Sequence, residues 1–267
     1  MELTPNIKKK IRRYEPVETE GLTLYPVTMA EREEFEYARP ALDMVQQSLP
    51  VTFAAMPLLS AYYKMDYDAA RNDREPTGLF AGALLMLALS LRLGTGLEME
   101  KRLRLFRLKP EAEDQSRLAA VEFWEDGEEL KAVTPVQFQR LREIIAAQNG
   151  VELVSENANA ELVAAERELQ ELEGAPLSGE FGEKLATVCA LCRVEEDEID
   201  QWPILKFKTM AQTWQRIVGY GVCSVAQAQG SRWKGGNPYP SLFYERADHQ
   251  NMALRLMADV TRGMTPQ

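Results

Sequence analysis

The sequence predicts a mainly α-helical protein of the α+β kind, with a short N-terminal strand and an inserted three-stranded antiparallel β-meander. Three observations predict it. The run Leu79 to Leu91, LFAGALLMLALSL, is apolar and uncharged. It is too short to cross a bilayer, which takes roughly 20 apolar residues, and so reads as a buried helix. Thr134-Pro135-Val136-Gln137 is a strong helix start, because Thr caps, Pro suits the first helical position and Gln completes the box. Asp126-Gly127, between two runs of β-forming residues, is a tight-turn signal.

The elements follow in order. Lys8-Lys9-Lys10-Ile11-Arg12-Arg13 reads as part of a solvated basic arm over residues 1–20, the alternative being a contact with phosphate or an acidic partner. Gly21 to Val27 reads as a strand, and Thr28 with Glu31 as the capping box of a helix with Phe35, Ala38 and Leu42 on its apolar side. Pro40 bends or ends that helix, since it cannot donate into the interior. Helices are expected over 51–64 and 77–93, with a polar break at Asn72 to Pro76 and a stop at Gly94-Thr95-Gly96.

Lys101 to Lys109 largely alternates cations with apolar residues, the period of a half-buried strand. The meander at about 101–133 is therefore expected as Leu103 to Leu108, Leu118 to Trp124 and Glu129 to Val133. The helix from Thr134 buries Phe138, Leu141, Ile144 and Ile145 and stops at Asn149-Gly150, closing a helical domain over 21–150. The third region, 151–267, combines an acidic helix from Ser155 to Glu173, a linker at Gly174 to Gly179, a helix from Phe181 to Cys192, and a C-terminal helical part ending in an aromatic loop rich in Pro and Gly.

Composition narrows the function classes. A formal net charge of −10 over 267 residues disfavours a general nucleic-acid surface. The N-terminus lacks the apolar core of a signal peptide, and no run is long enough for a membrane span. Three cysteines fit a reducing cytoplasm better than a disulfide scaffold.

No catalytic constellation emerges. With His249 as the sole histidine, neither a serine triad nor a two-histidine metal site can be assembled in its usual form. Cys189 and Cys192 form a C-x-x-C at the end of an apolar helix and read as buried structural thiols. A zinc reading would need Cys223 and His249 as further ligands at an unpersuasive spacing. The acidic run Glu195 to Glu198 reads as a helix first turn. Trp202, Phe207, Trp214 and Ile217 read as core. No cofactor is expected. Trp233, Tyr239, Phe243 and Tyr244 crowd around Lys234-Gly235-Gly236-Asn237-Pro238-Tyr239-Pro240, and Leu162, Leu169 and Leu172 line a seam on the acidic helix. These two groups are the candidate partner-binding residues.

Three blocks carry a likeness to a known family: GLTLYPVTMAEREEF with SLPVTFAAMPLLSAYY, TPVQFQRLREIIAAQNGVEL, and DEIDQWPILKF with KGGNPYPSLFY. On them the chain resembles the tail assembly chaperone-like proteins of bacteriophages and prophages of Gram-positive gut bacteria. The resemblance implies a non-enzymatic cytoplasmic role, in which the protein binds the tape measure protein or the tail tube protein during tail morphogenesis. The chain is longer than many such chaperones. The alternatives are a structural adaptor retained in the tail or neck and, further off, a zinc-binding protein.

Overall fold

The computed structural model describes residues 3–125, 129–153 and 180–232, together with Asn237, Tyr239 and Ser241. The chain divides into two compact units, Met1–Glu156 with Asp197–Phe207, and Asn157–Glu196 with Lys208–Gln267.

The first unit is mainly α with two small antiparallel sheets, as the sequence predicts. It opens with α1 (Pro5–Arg12), which Thr4 caps through its side chain onto the Ile7 amide. The basic segment, read from the sequence as part of a solvated arm, is helical; Pro at the first position supplies the helical φ. Next, β1 (Val17–Thr19) pairs antiparallel with β2 (Leu22–Leu24). The expected strand is shorter than foreseen and gains a three-residue partner that a period-two pattern cannot reveal.

After a 3-10 turn at Met29–Glu31 comes α2 (Arg32–Asp43), which buries Phe35, Ala38, Ala41 and Leu42 and carries Pro40 without ending there. The Thr28–Glu31 capping box does not form: Thr28 makes no side-chain bond to the backbone, its hydroxyl donating to Glu31 Oε2 at 3.5 Å, and Glu31 Oε1 pairs with Arg102. The helix expected over 51–64 is broken, with α3 (Val51–Ala54) and α4 (Leu58–Arg71) separated before Pro57. Proline favours extended backbone in the residue before it, which splits the pattern.

Helix α5 (Leu79–Leu91) is the centre of the core. It buries eleven of its thirteen residues, as an all-round apolar helix must. It packs on α2, α4, β2 and the short α6 (Met99–Leu103). The crossing with α2 is close because position 82 is glycine; an added Cβ would lie 3.3 Å from Ala41 Cβ. Backbone groups at the rim are satisfied by side chains from elsewhere. Tyr62 Oη donates to Ala41 O at 2.9 Å, and Arg142 donates to Leu42 O and Met44 O at 2.7 and 2.6 Å. The last carbonyls of α2 thereby find donors inside the protein. Burial raises the Tyr62 phenol well above its ordinary pKa, opposed by Arg142.

The meander is β3 (Arg107–Pro110), β4 (Leu118–Glu125) and β5 (Glu129–Val133), in spatial order β3-β4-β5. Its second and third strands stand where the sequence places them, and the Asp126-Gly127 turn lies outside the described residues. The first strand does not: residues 99–103 are helical, and the strand begins only at Arg107. The misreading has a physical cause. Arg102 is a buried anchor, with its guanidinium 2.8 Å from Glu31 Oε1 and 3.2 Å from Glu34 Oε2, and Nε donating to Leu97 O. The contact with Glu34 is off hydrogen-bonding alignment and acts by charge.

Helix α7 (Pro135–Gln148) begins with the predicted capping box in full and buries Phe138, Leu141, Ile144 and Ile145. It closes at Asn149, which is fully buried and whose Oδ1 accepts from the Val27 amide at 2.9 Å. Residues 202–204 return to the same region. Met29 N donates to Trp202 O, Ile204 N donates to Val27 O, and Thr28 bridges Pro203. Trp202 and Phe207 are buried here as expected, with Lys206 Nζ 3.8 Å from the Trp202 ring centroid.

In the second unit α8 (Phe181–Cys192) stands as predicted. The acidic run leads into α9 (Glu196–Asp200), which apart from Glu196 belongs to the first unit. A long helix, α10 (Ile204–Ala228), starts in the first unit and runs into the second.

Candidate protein-binding surface on a long helix

From Ile217 to Ala228 the chain reads IVGYGVCSVAQA, without one ionisable acid or base beyond Tyr220 and Cys223. Helical periodicity puts Val218, Val222 and Val225 on one side, spaced by four and three residues. All three face solvent, at 56%, 64% and 59% exposure. Ile217 and Tyr220 flank them and are exposed too, so Ile217 is not the core residue that its spacing suggested. Valine is a mediocre helix former, since its branched Cβ restricts χ1. A surface helix selected only for stability and solubility would carry lysine, glutamate or glutamine at such positions. Three exposed valines in register therefore form an apolar stripe that the described residues leave uncovered.

On the rest of this helix, Gly219 lets an aromatic ring approach its backbone. A Cβ there would lie 2.7 Å from Tyr239 Cε2. The loop residues that reach it are held by short bonds: Tyr239 N donates to Asn237 Oδ1 at 2.8 Å, and Asn237 Nδ2 donates to Gln227 Oε1 at 3.1 Å. Tyr239 is thus half-buried against α10. Of the other residues singled out in the sequence, Leu162, Leu169, Leu172, Trp233, Phe243 and Tyr244 lie outside the described residues.

The cysteines differ from expectation. Cys223 is buried, but Cys189 and Cys192 are only partly covered, because α8 buries Val188 alone. What burial there is raises the Cys189 thiol pKa, and the carboxylates of Glu196 and Glu195 push it the same way. A thiol held protonated is a poor nucleophile and a poor metal ligand. Among the described residues no three His, Cys, Asp or Glu side chains gather as a metal site, and His249 lies outside them. Among the described residues no helix is long and apolar enough to cross a membrane.

The valine stripe was missed in the sequence, where apolar residues at helical spacing read as core. Its signal was the absence of charge over three turns in a chain that is otherwise 27% charged.

Against known proteins, the chain matches no family model, no curated protein and no solved structure.

Proposed function

We propose that the chain is a non-enzymatic, cytoplasmic protein-binding factor, and specifically a phage tail assembly chaperone that binds the tape measure protein or tail tube protein during morphogenesis. One observation carries the binding part of this reading: the exposed, charge-free stripe Val218, Val222 and Val225 on α10. An apolar stripe at this spacing suits an amphipathic partner helix laid alongside it. The net charge of −10 over the whole chain favours solubility of such a complex. The phage assignment rests on the resemblance of the sequence blocks.

Co-expression with the tape measure protein of the same phage or prophage, followed by affinity capture and size-exclusion chromatography, tests the reading. Co-elution, with the tape measure insoluble when expressed alone, is the expected result. A tape measure that stays insoluble and uncaptured beside a folded chain removes it. Mass spectrometry of purified particles then separates a chaperone, absent from the particle, from an adaptor present in fixed copy number.

A further inference from the structure

Helix α1 shows one side to the protein and another to solvent. Ile7 and Ile11 are half-covered, and the helix packs on β1, whereas Lys8, Lys9, Arg12 and Arg13 are exposed. No acid occurs from Leu3 to Tyr14, and among the described residues only Arg13 makes an ion pair, a long one of 3.7 Å with Glu15. The chain also carries the opposite patch. Glu195, Glu196, Asp197 and Glu198 are consecutive and all exposed, and none forms an ion pair among the described residues. These two exposed patches of opposite sign, one on α1 and one at the start of α9, are complementary to each other.

We infer that α1 of one copy docks on the Glu195–Glu198 patch of a second copy, in a head-to-tail contact. A contact between two different surfaces is heterologous and generates a ring or an open row of subunits. The competing occupants of α1 fit less well. A long polyanion such as nucleic acid meets the repulsion of a chain with net charge −10. A bilayer needs an apolar helix side, which Ile7 and Ile11 have already turned toward the protein. A short acidic patch senses chiefly the cations within a Debye length of about 8 Å at physiological salt, and these are local and positive. Exposed ion pairs are individually weak, so the association is weak too, with a dissociation constant on the order of 0.1–1 mM. It becomes effective where copies are held close together.

Sedimentation velocity of the full-length chain, from about 0.02 to 1 mM protein and at about 50 and 500 mM salt, tests this directly. The average mass should rise with concentration at low salt and return to its baseline at high salt. K8E/K9E/R12E and E195K/E196K/E198K should each abolish the rise, and an equimolar mixture of the two should restore it. All six positions are exposed, and circular dichroism checks that both variants fold. A mass that is independent of concentration at low salt overturns the inference, as does a rise that survives either reversal. A fluorescent single-stranded oligonucleotide, bound by the native chain and released by K8E/K9E/R12E without any self-association, would assign α1 to nucleic acid instead.

Discussion

Helices α5 and α10 are both rich in apolar residues, yet the protein treats them in opposite ways. The first buries its whole circumference among α2, α4, α6 and β2, with Leu85, Leu87 and Ala88 fully inaccessible. The second leaves Val218, Val222 and Val225 more than half exposed. Apolar content alone therefore does not distinguish a core helix from an exposed one. What distinguishes them is the company each keeps. Helix α5 is surrounded by elements whose own polar edges are satisfied by Tyr62, Arg142 and Asn149. Around the α10 stripe the described residues supply no such enclosure.

The largest effect should come from the charged anchor beside α5. Arg102→Met leaves Glu31 and Glu34 without their cation, and chemical unfolding should register a loss of about 3–5 kcal/mol. Slightly smaller is Leu85→Ala, which empties a fully buried site and should cost about 2–5 kcal/mol by the same measurement.

On α10 the sharpest expectation is a coupling. Gly219→Ala gains helix propensity but drives its methyl into the Tyr239 ring, while in a Tyr239→Ala background the gain is unopposed. A double-mutant cycle should give a coupling of about 1–2 kcal/mol. A coupling near zero would mean that the ring does not rest on Gly219.

The smallest effect belongs to Asp114 in the β3–β4 connection. Ser116 donates to its carboxylate through Oγ and then through its amide, which lowers its pKa below the ordinary aspartate value. A depressed folded-state pKa stabilises the fold above the unfolded value and ceases to do so as pH falls through the folded one. In a pH titration followed by carboxyl NMR, Asp114 should protonate later on acidification than a free aspartate, and Ser116→Ala should move it back up.

The legible parts of the sequence were those with strong local signals. Leu79–Leu91, the Thr134 box and strands β4 and β5 needed nothing beyond their own residues. Segment 99–109 failed because a few alternating residues fit a strand and a short helix equally well, and the deciding interaction is with Glu31, far away in the chain. Strand β1 was too short to show a period. The α10 stripe was hidden because sequence gives the spacing of apolar residues and not what lies against them. Most of the candidate partner residues read from sequence, from Leu162 to Leu172 and around Trp233, lie outside the described residues, so the stripe is an addition to them.

As proposed above, the α10 stripe serves binding and not folding. The most direct test is Val218→Ser/Val222→Ser/Val225→Ser, assayed for both unfolding free energy and capture of the co-expressed tape measure protein. Stability should stay within about 1 kcal/mol of the native chain, far from the Leu85→Ala loss, while capture is lost. A large loss of stability, or full capture by a stably folded triple variant, would contradict it.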